Sequence, residues 1–98
     1  MDVVSRFLHY VSFDTQSDDT SDSVPSAEKE KALGNALAEE LRRLGLQDAH
    51  MDEQGCVYAH LPASPGLEHL PALGLIAHMD TSPDAPGDHI VPRIVNYT

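Results

Sequence analysis

The chain has 98 residues, the usual size of one domain, and 41% of them are apolar, an ordinary share for a globular protein. Acidic residues outnumber basic ones by 16 to 6, which gives a formal net charge of −10. A surface of this sign repels phosphate, so we expect neither nucleic acid nor an anionic membrane as a partner. It suits cations such as metal ions or free amino groups, although acidity also simply keeps a protein soluble.

Cys56 is the single cysteine, so an internal disulfide is excluded, which fits a reducing compartment. The first four residues, Met-Asp-Val-Val, lack the basic and apolar regions that begin a signal peptide. The longest apolar stretch, residues 73–77, is too short to span a bilayer. We therefore expect a cytoplasmic protein.

Two helices are predicted in the first half of the chain. Apolar residues in segment 2–13 follow i, i+3, i+4, i+7 spacing, which is typical of a helix with one buried stripe. Residues 14–23 are polar and predict a loop. A second helix is predicted to begin after Ser26, a good N-cap, and to stop at Gly45. Its leucines at positions 33, 37, 41 and 44 would face a core.

Strands are predicted in the second half. Segments 49–52 and 56–61 favour two strands joined by a turn at residues 53–55, and residues 93–95 a further short strand. Residues 72–77, which include the apolar run 73–77, suit a strand buried on both faces, and such a strand needs cover on both sides. Two helices and a hairpin supply little more than one side. The predicted fold is therefore α/β, with two helices packed on an incomplete β-sheet.

His78 and Asp80 directly follow the apolar run. Sites in open α/β sheets form at the carboxyl ends of strands, and side chains two residues apart in an extended chain point to the same side. A neutral imidazole is a good zinc ligand, and a nearby carboxylate can accept its other ring N–H and fix the tautomer. A metal site is one interpretation of this His-x-Asp, and a surface or capping histidine is the other. The two residues by themselves do not choose between zinc, cobalt and manganese.

The surroundings of this motif carry a family resemblance. The stretch Leu73-Gly74-Leu75-Ile76-Ala77-His78-Met79-Asp80-Thr81-Ser82-Pro83-Asp84 resembles the first metal-binding signature of the two-zinc exopeptidases, which include aminoacylases and glutamate carboxypeptidases. Other stretches resemble the tripeptide aminopeptidases of that family, the peptidase T group. These are residues 6–17, Val24-Pro25-Ser26, Leu44-Gly45-Leu46, Leu61-Pro62-Ala63 and residues 92–97. The similarity covers essentially the whole chain, in order.

The resemblance implies that His78 is the first zinc ligand and that Asp80 is the active-site carboxylate that holds its ring. It further implies two zinc ions per full-length enzyme, a glutamate base, and tripeptides as substrates that lose their N-terminal residue. The other ligands, the base and a lid domain would come from later sequence. We therefore expect residues 1–98 to be the N-terminal portion of a metallopeptidase catalytic domain and to be inactive alone.

Two alternatives stand beside this enzyme hypothesis: a small acidic domain that binds a cation or a partner without turnover, and a gene remnant without function. A calcium loop is a weaker idea. Four aspartates crowd residues 14–22, but the spacing lacks the glycine and the terminal glutamate of an EF-hand, so a solvated loop is expected. The histidines at positions 50, 60, 69 and 89 lack the tight spacing of metal ligands.

Overall fold

The computed structural model describes residues 2–98, which form two helices and one two-stranded sheet. In chain order these elements are α1 (Val3–Tyr10), α2 (Glu30–Arg43), β1 (Gln47–Met51) and β2 (Val57–His60). The strands pair antiparallel, with His50 opposite Tyr58 and Met51 opposite Val57. The predicted α/β class is confirmed at this coarse level. Within residues 2–98, no helix is both long and apolar enough to cross a membrane.

Helix α1 begins where a cap allows it to. The Asp2 carboxylate accepts the Ser5 backbone N–H at 2.7 Å, and this bond to the backbone is the largest cause that lowers the pKa of Asp2. The helix itself was predicted, but it ends at Tyr10 rather than at Phe13. The expected burial of its apolar stripe is wrong, since Val4 and Phe7 are mostly exposed. The stripe stays exposed because α1 does not lie on the sheet, which is covered by α2.

Helix α1 is joined to α2 through the Glu40 carboxylate. Arg6 Nε and the Tyr10 hydroxyl both donate hydrogen bonds to it. The Tyr10 bond and then the Arg6 bond lower the pKa of Glu40. Burial first, and the Glu40 hydrogen bond second, raise the pKa of Tyr10 to about 12. The described contact between the two helices is therefore polar rather than apolar.

Helix α2 starts later than expected, at Glu30 instead of just after Ser26. The Glu30 carboxylate reaches back and accepts the Ala27 backbone N–H at 2.8 Å, while Ser26 Oγ donates to the same carboxylate at 3.3 Å. These bonds resemble a capping box in satisfying donors ahead of the helix. The stop at Gly45 is confirmed, because this residue has a φ of 89° just after the helix.

The hairpin of β1 and β2 carries the small core. Asp52 Oδ1 accepts the backbone N–H groups of Gln54 and Cys56, each at 2.9 Å, and closes the predicted turn. Helix α2 packs on the hairpin so closely that a Cβ placed on Gly34 would lie 2.5 Å from Met51 Sδ. In the part of the chain from residue 2 onward, the buried apolar residues are Leu33, Ala38 and Ala49. Leu44, the last member of the predicted stripe, is exposed.

The central strand predicted at residues 72–77 is wrong for this chain. Leu73, Leu75 and Ile76 are 86%, 89% and 99% exposed, and the run joins no sheet in residues 2–98. The short strand predicted at 93–95 is also absent from these described residues. Both segments lack a partner strand, and an isolated extended segment gains neither ladder hydrogen bonds nor burial.

The described chain is consequently expanded. Its radius of gyration is 16.2 Å, whereas a compact domain of this length has about 13 Å. Eighteen large apolar side chains are exposed, and many belong to segments 67–76 and 90–97. The prediction of an incomplete sheet agrees with a two-stranded sheet that covers little of the molecule.

We expect the purified 98-residue chain to unfold without a sharp cooperative transition, because its apolar core is small and its flanks are held by hydrogen bonds that can open independently of that core. Thermal unfolding followed by circular dichroism, together with binding of a dye specific for exposed apolar surface, checks this expectation. A cooperative melt of the monomer in the usual range of about 45–65 °C, with no dye binding, would contradict it.

We expect the bond between Tyr10 and Glu40 to be visible in the titration of the phenol. In a Y58F/Y97F background Tyr10 is the sole tyrosine, and its pKa is expected near 12, with Glu40→Gln moving it toward 10. Because the folded pKa is raised, the contribution of this group to stability is present below about pH 10 and lost as the pH rises through 12. Tyrosinate absorbance measures the titration, and equal pKa values with and without Glu40 would refute the bond.

Candidate functional site

The two residues singled out by the sequence lie together. His78 Nδ1 is 3.0 Å from Asp80 Oδ1 and 2.9 Å from the Asp80 backbone oxygen. Both oxygens accept hydrogen bonds, so in the neutral imidazole Nδ1 carries the proton and the lone pair of Nε2 is free. The same-side placement expected from the strand period is therefore found, even though no strand forms there. The role of His78 as a metal ligand stays a prediction.

The pair is accessible to solvent. The His78 side chain is 84% exposed and that of Asp80 is 43% exposed. Next to it is an open concavity of about 860 Å³, bounded by residues 75–80, by the apolar side of α2 and by the start of β2. Leu37 and Leu41 of α2 form an apolar part of its wall. The cluster of Arg6, Tyr10 and Glu40 forms a polar part. A peptide-sized molecule can thus reach Nε2 from solvent.

The segment after Asp80 is held by the loop that follows α1. The Thr81 N–H donates to the Thr15 carbonyl at 2.9 Å, and the Ser17 N–H donates to the Thr81 carbonyl at 2.9 Å. These bonds form a single parallel bridge between Gln16 and Thr81. The sequence predicts only a polar loop at 14–23 and misses this contact. A one-residue bridge leaves no periodic pattern, so periodicity gives no signal for it.

The donor set supplies part of a metal site and not a whole one. A neutral histidine with a free Nε2 suits zinc, and the carboxylate on Nδ1 is the usual outer partner of such a ligand. A catalytic zinc, however, has three protein ligands. Across the described residues, no group of three or more His, Cys, Asp or Glu side chains could hold a metal ion. The residues that are present therefore fit one position in a ligand shell.

Four other histidines, at positions 50, 60, 69 and 89, are absent from the lining of the concavity in the described chain. His50 stacks on Tyr58 with ring centroids 5.4 Å apart, and His89 lies beside Asp88 with Nε2 at 3.4 Å from the carboxylate. His60 and His69 are exposed. None of these four lines the concavity beside His78 as the structure describes it in residues 2–98.

The aspartates of the polar loop use their oxygens locally. Asp14 binds Lys29 Nζ at 3.0 Å, and this bond is the largest cause that lowers the pKa of Asp14. Asp18 accepts the hydroxyl and the backbone N–H of Thr20, which lower its pKa in that order. This arrangement favours the expected solvated loop over a calcium loop. Cys56, which immediately precedes β2, is exposed.

Comparison with known proteins shows which proteins this chain resembles. No family model matches the sequence. A protein named Peptidase T from Clostridium acetobutylicum is 50% identical over 97 residues, which are 98% of this chain and 24% of that protein. Peptidase T of Aliivibrio fischeri is 48% identical over 95 residues, covering 97% of this chain and 23% of the relative. Peptidase T of Parabacteroides distasonis is 44% identical over 97 residues, with coverage of 99% and 24%.

The chain thus spans about a quarter of the length of the curated relatives that it matches. The match runs through the opening helix, the polar loop and the segment that bears His78 and Asp80, because it leaves out almost no residue of the chain. The resemblance seen in the sequence motifs is confirmed, since over nearly its whole length this chain is similar to proteins named Peptidase T.

Proposed function

We propose that this chain is part of a metal-dependent aminopeptidase that releases the N-terminal residue of tripeptides. The observation that carries the proposal is the 50% identity with a Peptidase T across a stretch that includes His78 and Asp80. Because the chain spans about a quarter of such relatives, the activity is proposed for a full-length enzyme. Zinc as the metal and a cytoplasmic location belong to the same proposal.

In this proposal His78 binds metal through Nε2. Asp80 accepts the Nδ1 proton, which keeps the ring in the tautomer that a metal requires and makes Nε2 a stronger donor. Zinc bound at such a site polarises a carbonyl group and lowers the pKa of a bound water. The contribution of this chain is therefore one oriented ligand together with the carboxylate that orients it. It supplies no complete catalytic shell within residues 2–98.

The charge of the chain agrees with a substrate that carries a free amino group. A formal net charge of −10 favours the approach of a peptide ammonium, and Asp80 lies partly exposed beside the open concavity. The alternatives of a stand-alone acidic binding domain or a gene remnant are less favoured, because the match to Peptidase T extends through almost every residue.

The test is a chimera in which this chain replaces the matching segment of the Clostridium acetobutylicum relative. We expect the chimera to hydrolyse a tripeptide with zinc, and His78→Ala to reduce the rate roughly a hundredfold or more, because a metal ligand is lost. His69→Ala, in an exposed loop, is the matched control and should leave the rate unchanged. The 98-residue chain alone should be inactive. An active chimera that tolerates His78→Ala would refute the proposed role of His78.

We expect Asp80→Ala to lower the population of the Nδ1–H tautomer of His78, because only the backbone acceptor of residue 80 remains. Nitrogen-15 NMR of the imidazole rings at a pH where they are neutral measures this population. His60, which is exposed, serves as the internal control and should not change. An unchanged His78 spectrum in the variant would show that the Asp80 carboxylate does not hold the ring.

A further inference from the structure

The backbone of Thr81 is bound on both sides by the polar loop. Its N–H donates to the Thr15 carbonyl at 2.9 Å. Its carbonyl accepts the Ser17 N–H and the Ser17 hydroxyl, each at 2.9 Å. Thr15 is only 3% exposed whereas Thr81 itself is exposed, so the bridge is shielded from water on the Thr15 side. Hydrogen bonds shielded in this way resist opening better than exposed ones.

Two further contacts join the polar loop to residues after Thr81. Gln16 Nε2 donates to the Pro83 carbonyl at 3.0 Å. Gly87 is buried against the loop, and a Cβ placed on it would lie 2.6 Å from Asp14 Oδ1 and 3.1 Å from the Gln16 backbone nitrogen. Asp14 cannot move aside easily, because it also binds Lys29 Nζ and the Gln16 N–H. Only a glycine at position 87 allows this close approach.

The segment that precedes the His78-Asp80 pair in the chain has no comparable support in the described residues. The preceding run 73–77 is exposed and joins no sheet in the described chain. His78 lies three residues from Thr81, a span of at most about 11 Å even when the chain is fully extended. A displacement of the Thr81 backbone therefore also displaces the His78 imidazole, because the segment before His78 is exposed and joins no sheet in the described chain.

We propose that residues 14–17 form a clamp that positions the His78-x-Asp80 segment, with Gln16 and Gly87 as positioning residues rather than catalytic ones. The clamp binds residues 81–83, which follow the His78-Asp80 pair in the chain, whereas run 73–77 precedes it. The inference that the clamp positions Nε2 of His78 for a metal rests on the proposed function. The inference that the clamp restrains this segment is independent of the proposed function.

The matched variants are Gly87→Val and Gly74→Val. Both glycines lie outside the positive-φ region, so valine avoids that source of backbone strain at either position. A Cβ on Gly74 meets nothing within 4 Å, whereas one on Gly87 meets the clamp.

Hydrogen exchange in the 98-residue chain is measured at the Thr81 amide, with the Leu41 amide in α2 as the reference. Gly87→Val should speed exchange at Thr81 roughly tenfold and change the His78 ring spectrum, while Gly74→Val does neither. Gln16→Ala, which adds no bulk, should act in the same direction with a smaller effect.

The clamp is refuted if the Thr81 amide of the unaltered chain exchanges as fast as exposed backbone. Equal effects of the two valine variants would refute it as well. Zinc affinity of the chimera, measured by calorimetry, separates the clamp from the proposed function. A weakening of about tenfold or more by Gly87→Val supports both. Protection at Thr81 in a chimera that binds no zinc supports the clamp and overturns the proposed function.

Discussion

The packing of α2 on the β1–β2 hairpin is the one apolar contact on which the rest of the described chain depends. It buries Leu33, Ala38 and Ala49 and brings Gly34 against Met51. Short side chains at these positions let helix and hairpin approach closely but bury little area. The hydrophobic gain scales with that area, while the entropy cost scales with the number of residues ordered. The contact therefore stabilises the middle of the chain. The two flanks, α1 and the segment after Asp80, are held by hydrogen bonds instead.

Both flanks are held by hydrogen bonds. Helix α1 is attached through Glu40, and the segment after Asp80 is attached through the bridge of Thr81 to the polar loop. Polar bonds of this kind fix direction well, yet each adds little net stability because water competes for the same groups. The chain thus has precise local geometry at His78 without the burial that makes a whole domain rigid.

The parts of the fold that sequence predicts are those determined locally. The stop at Gly45, the hairpin turn and the shared side of His78 and Asp80 each depend on residues close in sequence. The failures need distant partners. The stripe of α1 and the run 73–77 have the pattern of buried elements, but burial requires a second surface, which residues 2–98 do not provide. The bridge between Gln16 and Thr81 joins residues far apart in sequence and leaves no periodic pattern.

A metal ligand must be held to within about half an ångström of its working position, and one restraint cannot do this for a chain that is free on its other side. In residues 2–98 the loop fixes the segment after Asp80, while run 73–77 before His78 stays exposed. Pairing of that run with a further strand would supply the second restraint and bury its apolar side chains at the same time. The exposed side chains that deprive the isolated chain of stability are thus the ones whose burial would hold His78, the proposed metal ligand, rigidly.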